Sequence, residues 1–413
     1  MYLSREEESI LQGEQGDTMR RMMEILVALG DIYGAERLMP VRSAQIAGVS
    51  FKNIGEAGLE WISDLRGRVA VPSILNPAGM DLERWREMGI DGDFAARQRE
   101  VVRAYERLGI TPDCTCTPYQ IHRGIVKEGD HLAWSESSAV SYANSVIGAR
   151  TNREGGPSAL AAALVGKTPL YGYHLDENRR QTHVIVVDAD LKGADYSALG
   201  FLVGRIVKDG VPLFRLRARP EKDELKALGA AMAASGSVAL YFVEGVTPGP
   251  GSGSTSLGKD LGEEKGGKIN QGIDKKIDKE IAEKIALGRK DINEVYDKFP
   301  AGDAEIVALG CPHCSRSELE RIARLLEGRN ARKELWICTA RRTAEACPDL
   351  VARIERSGAK VVCDTCMVVS PASERFRKML VNSGKALAYI PGLCGVEAGF
   401  ASTEDCIRVA EEE

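Results

Sequence analysis

Apolar positions recur along this chain with two periods, one near 3.6 residues and one near 2, and the two alternate. Ser4 and Glu7 have capping-box spacing and open a first helix. Residues 18–29 form a predicted helix that stops near Gly30 and Gly34. Residues 56–65 read as a helix and 68–71 as a short strand, and Pro72 to Met80 as a loop rich in turn residues, after which Asp81 caps another helix. Residues 93–108 place Phe94, Val101, Val102, Tyr105 and Leu108 near one helical face. Further on, strand 184–187, helix 194–208, strand 211–216, helix 221–234 and strand 237–243 follow in turn. The last part repeats the theme with strand 305–309, helix 316–327, strand 334–339, helix 341–356, strand 360–362, helix 373–382 and strand 386–390. Such alternation predicts an α/β fold of several domains, with mainly parallel sheets flanked by helices.

The pattern breaks once. Residues 247–272 begin Thr-Pro-Gly-Pro-Gly-Ser-Gly-Ser-Thr-Ser, have almost no apolar anchors and should be a mobile surface connection. After them Ile273, Ile277, Ile281 and Ile285 stand four apart, a narrow apolar stripe on a highly charged helix expected at the periphery. Four segments result: 1–180, an N-terminal α/β region; 181–246, βα units of a parallel sheet; 247–300, linker and charged helix; and 301–413, a C-terminal α/β domain.

Bulk composition narrows the classes. The hydrophobic content of 44% and charged content of 28% are ordinary for a globular protein. A net charge of −5 provides no basic surplus for nucleic acid. No apolar run approaches a membrane span, and the acidic start Met1–Glu8 is not a signal peptide, so a cytoplasmic location with neither membrane nor nucleic-acid partner is expected. Ten cysteines without a secretion signal point to buried thiols, catalytic thiols or metal ligands in preference to disulfides.

The cysteines are grouped. Cys114 and Cys116 lie in a stiff loop bounded by Pro112 and Pro118. Cys311, Cys314, Cys363, Cys366 and Cys394 lie in loops that end three predicted strands of the C-terminal domain. Right-handed crossovers put the carboxyl ends of parallel strands on one edge, where ligands bind, so Cys311, Cys366 and Cys394 project toward a common edge. The two C-x-x-C pairs are too far apart for a zinc ribbon. A thioredoxin-like dithiol needs one such pair and this chain has two besides the C-x-C, which leaves an iron–sulfur site as the favoured reading, with zinc and redox dithiol as alternatives. Cys311 follows Gly310 at the strand end, Cys366 is the loop member of its pair, and the C-x-C loop offers Cys114 or Cys116. Cys114 is the choice there.

Other loops are polar. Gly48-Val49-Ser50 looks like a turn whose backbone N–H groups can face a ligand, and Trp134 to Ser138 and Tyr142 to Ser145 are dense in small polar groups. Arg150 and Arg153 are candidate phosphate partners, and His313 stands beside Cys311 where it can tune bound metal.

Several of these stretches occur in an order that resembles the aconitase X family: Met1-Tyr2-Leu3-Ser4-Arg5-Glu6-Glu7-Glu8, Glu24 to Gly30, Cys114-Thr115-Cys116, Ser141 to Ser145, Gly310-Cys311-Pro312-His313 and Cys363-Asp364-Thr365-Cys366. The resemblance implies an aconitase-like fold and a [4Fe-4S] cluster held by Cys114, Cys311 and Cys366, between domains. It implies substrate contacts from Gly48, Val49, Ser50, Asn76, Gly79, Asn144, Ser145 and the Pro391-Gly392 turn. Within the family the chain resembles the large subunit of the archaeal two-subunit type, which dehydrates (R)-5-phosphomevalonate, a phosphorylated hydroxy acid, to trans-anhydromevalonate 5-phosphate on the way to isoprenoids. The bacterial type is a fused chain that acts on cis-3-hydroxy-L-proline and carries a further swivelling domain. Because this chain stops at Glu413 without one, a separate small subunit is expected as its heterodimer partner, and by analogy it carries the catalytic base. The long insert departs from the family pattern. The alternatives are the hydroxyproline reaction, or an iron–sulfur binding or sensing protein with no turnover.

Overall fold

The computed structural model describes residues 1–122, 124–249 and 283–412. Three parallel sheets organise them. The first consists of Ser73–Leu75, Ala44–Ile46 and Ala133–Trp134 in that spatial order, beside a small antiparallel ribbon of Leu38–Pro40 and Lys167–Pro169. The segment after the helix Gly92–Arg107 runs alongside it: Thr111 N–H donates to Ser73 O and Thr115 N–H to Leu75 O. The C-x-C loop therefore leaves from the carboxyl edge of this sheet.

The second sheet has the order Phe242–Val243, Pro212–Arg215, His183–Asp188, Glu283–Gly288. The last strand overturns part of the expected charged helix. Ile285 pairs with Ile185 in a six-residue register, because the edge of His183–Asp188 satisfies the backbone groups that an isolated polar helix would leave to water. The helix Arg289–Lys298 follows directly, so residues 283–298 belong to the middle unit and not to a linker. Ile273, Ile277, Ile281 and most of the Gly/Ser-rich connection lie outside the described residues.

The third sheet is wholly parallel: Lys360–Cys363, Glu334–Thr339, Ile306–Cys314, Lys378–Val381, Glu397–Phe400. Both faces are buried, and alternate residues serve different cores. Ile306, Ala308, Trp336 and Met379 pack toward the middle unit, whereas Val307, Leu309, Leu335 and Leu380 pack under the outer helices. The strand order reverses between Ile306–Cys314 and Lys378–Val381, which makes the crevice beyond their carboxyl ends the favoured ligand site.

Here too the structure differs from expectation. Residues 386–390 are not a strand. They lie in the helix Gly384–Cys394, whose N-cap Ser383 accepts from Ala386 N–H at 3.2 Å. The fourth strand is Lys378–Val381, in place of the end of the expected helix 373–382. Pro391 and Gly392 form no turn; both are exposed in the last turn of that helix. The expected helix 341–356 is two helices, the second starting at Pro348, because proline is tolerated in a first turn and not in a helix interior. Residues 68–71 form no strand, and the expected strand 237–243 shortens to Phe242–Val243.

Candidate functional site

The carboxyl edges of the first and third sheets face one another across a set of buried loops. Ala78 N–H donates to Asp364 O at 2.8 Å, Ser50 Oγ to Val369 O at 3.0 Å, and Cys363 N–H to Asp81 Oδ2 at 2.9 Å. Arg341 clasps the rim, reaching Asp81, Glu83 and Asp364 together.

Two thiols, Cys311 and Cys366, lie side by side here, and a third, Cys116, lies in their electrostatic surroundings. The Cys311 thiol hydrogen-bonds that of Cys366, which holds Cys311 protonated and pulls Cys366 below the ordinary thiol range against the effect of burial, with help from the Lys385 charge and the N–H groups of Val368 and Val369. Cys116 shares this environment: burial pushes its thiol up to about 12, but Lys385 and the His313 N–H, 3.2 Å from Sγ, pull the other way. Cys114 does not share it. Its thiol, buried in the core of the first domain, is raised well above its ordinary value by burial and then by the negative charges of Asp364 and Asp113. The structure thus sets Cys116, and not the expected Cys114, beside Lys385 and His313. The segment Thr115–Thr117 is pinned by Gln45 Nε2 to Thr115 O at 2.9 Å, and this turns Cys116 toward the third domain. Cys363 faces Asp81 and Arg341, away from the group, while Cys394 lies against the carbonyls of Met367 and Val368. Cys394 comes from a helix end, not from a strand end.

His313 joins the loops. Its Nε2 faces Thr365 O at 2.9 Å, and since a carbonyl only accepts, Nε2 carries the hydrogen. Nδ1 then accepts from Thr115 Oγ1 at 3.0 Å. Burial lowers the ring to about 4, so it is neutral. Lys226, itself buried against Glu318, donates to His313 O at 3.2 Å.

Beside the thiols lies an ion pair that sequence reading missed. Lys385 and Glu136, 5% and 6% exposed, meet across the two domains. Burial opposes charge on both, yet mutual attraction keeps the lysine raised and the glutamate lowered, and Ser138 Oγ and Ala139 N–H also donate to Glu136. Their signal in the sequence was a single charge at the start of each of two helical segments, one of small polar residues and one largely apolar. Gln98 was also missed, although it is the one amide on the buried stripe of its helix. It donates to Val49 O at 2.8 Å and accepts from Phe51 N–H and Gly79 N–H, which fixes the Gly48 turn and the loop that ends at Gly79.

The other expected site residues divide. Gly48, at φ +80°, Val49 and Ser50 form the turn that caps the helix Phe51–Asp64, and among the described residues none of their N–H groups has a hydrogen-bond acceptor. Asn76 Oδ1 is buried on the same edge without a partner. Gly79 is needed for packing: a Cβ there would stand 2.6 Å from Ser50 Oγ and 2.8 Å from Gln98 Oε1. Asn144 and Ser145 lie elsewhere. Asn144 donates to Thr151 O and Ala239 O and accepts from Thr151 N–H and Arg179, and Ser145 Oγ accepts from Tyr241 N–H, so their side chains are spent on the fold. Pro391 and Gly392 contribute only an exposed helix end.

Among the described residues no three His, Cys, Asp or Glu side chains stand close enough together to hold a single metal ion, but the chemistry of these donors suits an anionic metal–sulfur group. Three thiols stand beside a buried ammonium and backbone N–H donors, and the Thr365 hydroxyl next to Cys366 is buried with no partner.

Family models described as the first, second and third domains of aconitase X match residues 1–177, 181–297 and 304–412. The phosphomevalonate dehydratase large subunit of Methanosarcina mazei is 56% identical over 99% of this chain and 97% of its own length, and that of Methanothermobacter thermautotrophicus is 49% identical over 99% and 98%. The cis-3-hydroxy-L-proline dehydratase of Pseudomonas aeruginosa is more distant, 35% identical over 98% of this chain and 69% of its own. The crystal structure of Thermococcus kodakaraensis aconitase X in its holo-form superposes with a TM-score of 0.86 at 43% identity, covering 99% of this chain and 100% of that one. The chain belongs to the aconitase X family.

Proposed function

We propose that this chain is the large subunit of a hydro-lyase that dehydrates (R)-5-phosphomevalonate to trans-anhydromevalonate 5-phosphate, working in the cytoplasm with a separate small subunit. The observation that carries the reading is the placing of the paired thiols Cys311 and Cys366, with Cys116 under the same Lys385 charge, beside the buried Lys385–Glu136 pair between two facing sheet edges. Those three thiols are the residues that would hold a [4Fe-4S] cluster. Holding it with three protein ligands would leave one iron to supply Lewis-acid chemistry toward a hydroxyl or carboxylate.

The chain's own residues have the remaining tasks. Loss of water from a tertiary 3-hydroxy acid requires the carboxylate to be held while a proton leaves the neighbouring carbon. The free N–H groups of Gly48, Val49 and Ser50 form a cradle suited to that carboxylate. Asn76 Oδ1 can accept from a substrate hydroxyl. Lys385 stays protonated and offsets negative charge gathered around the thiols. The facing edges exclude water, which strengthens each of these interactions. The proton acceptor is assigned to the small subunit.

The test is anaerobic purification with the small subunit, then iron and sulfide analysis and a dehydration assay on phosphomevalonate and on cis-3-hydroxy-L-proline. A brown heterodimer that turns over phosphomevalonate is expected. A colourless protein with full activity would remove the cluster, and a brown protein inert toward both substrates would favour a sensing or carrier role.

A further inference from the structure

Resting on that reading, we propose that Arg153, backed by Tyr389, receives the terminal phosphate of the substrate and so sets the preference for a phosphorylated hydroxy acid. The cations near the two facing edges are otherwise engaged. Lys385 is paired with Glu136, Lys52 with Glu374 at 2.6 Å, Arg341 with Asp81 and Asp364, and Arg150 with Asp176. Arg153 is exposed and has no carboxylate partner among the described residues. Its Nη2 donates to the Tyr389 hydroxyl at 3.0 Å, while Nη1 reaches Ala233 O only at 3.4 Å.

The position of Arg153 follows from its neighbours. Glu154 N–H donates to Trp134 O at 3.0 Å, which lays this segment along the carboxyl end of the first sheet. Three residues on, a Cβ at Gly156 would stand 2.6 Å from Ala47 O, so the chain passes directly against the start of the Gly48 turn. From Arg153 a hydrogen-bond chain runs inward in one direction. Arg153 donates to Tyr389 OH, Tyr389 to Ser137 Oγ at 3.3 Å, and Ser137 to Glu136 Oε1 at 3.3 Å, where Lys385 and the thiols begin. Arg153 is thus an uncompensated, planar donor at the outer end of a polar track whose inner end is the thiol group. A substrate with its hydroxyl and carboxylate inside and a phosphate at the far end of a short carbon chain matches that layout.

The test uses the holo heterodimer. Arg153→Gln is expected to raise KM for phosphomevalonate on the order of 10- to 100-fold, the factor for a lost charge-assisted hydrogen bond, with a much smaller change in kcat. The inhibition constant for inorganic phosphate should rise in step, and Arg153→Lys should fall between. Binding of inorganic phosphate followed by 31P NMR gives the same comparison without turnover, and iron content checks that the variant is assembled. Unchanged KM and unchanged phosphate binding in Arg153→Gln would overturn the proposal, as would a fall in kcat alone. A wild-type heterodimer that binds inorganic phosphate through Arg153 but does not dehydrate phosphomevalonate would instead count against the function proposed above.

Discussion

Cys114 and Cys116 stand one residue apart and face opposite sides of one loop. On the Cys114 side lie Asp113, Asp364 and Glu106, all negative, and burial; every one of these opposes a thiolate, and only the Ala78 N–H favours it. On the Cys116 side burial and Glu136 also oppose a thiolate, but the Lys385 ammonium and the His313 N–H favour one. Metal ligation by cysteine requires the thiolate. The loop therefore sets Cys114 among negative charges and Cys116 beside a positive one, which makes Cys116 the proposed ligand, and what separates them is the charge that the third domain brings to each face.

That contrast can be broken from the third domain. Replacing Lys385 by Met removes the cation and leaves Glu136 buried and unpaired. We expect about 3–5 kcal/mol loss of stability in chemical denaturation. Activity should fall on the order of 100- to 1,000-fold. The double variant Glu136→Gln/Lys385→Met should recover most of the stability and none of the activity. If it recovers both, the pair is merely structural. His313→Gln acts next, through the loops it joins. Iron release to a chelator should accelerate about 10- to 100-fold, with little change in the far-UV circular dichroism. An unaltered release rate would show that His313 does not hold the thiols in place.

Much of this arrangement was legible in the chain. The third sheet announced itself in Ile306 to Leu309, Glu334 to Thr339 and Lys360 to Cys363, because strands buried on both faces read as continuous apolar runs. The same feature misled at Ala386 to Ile390: a short apolar run suits a buried helix equally well, and Ser383 as N-cap decides for helix. Ile285 misled for the converse reason, since spacing of four says nothing about a strand edge 100 residues earlier that needs a partner. Strand alternation would put Cys114 and Cys116, two positions apart, on the same side; their different surroundings were not legible, because Lys385 and His313 reach the loop only through tertiary packing. Small polar composition likewise does not distinguish a ligand-binding amide from one like Asn144, whose bonding capacity is filled by the backbone around it.

Asn144→Ala tests that last distinction. It strands Thr151 N–H, Ala239 O and the buried Arg179 together, so we expect about 2–3 kcal/mol lower stability and an unchanged KM. A raised KM at unchanged Tm would return Asn144 to the substrate site. The smallest effect belongs to the His131–His174 pair, whose Nδ1 atoms lie 2.9 Å apart. Burial, with Arg150 and Arg179 nearby, lowers His131 to about 4, and burial, then His131 and these arginines, lowers His174 to about 3. Both stay neutral when folded, while the unfolded chain takes up protons near pH 6.5. Their contribution is therefore complete above pH 6.5 and is lost as pH falls toward 4. The decline of Tm across that window should be shallower in His174→Phe than in wild type, and an identical decline would remove the pair as its source.

The most direct measurement is of iron and sulfide in Cys114→Ala and Cys116→Ala, each reconstituted anaerobically with the small subunit. The account predicts about four iron atoms per heterodimer and a wild-type spectrum for Cys114→Ala, and loss of cluster and activity for Cys116→Ala. The reverse pattern, with Cys116→Ala loaded and Cys114→Ala empty, would contradict it.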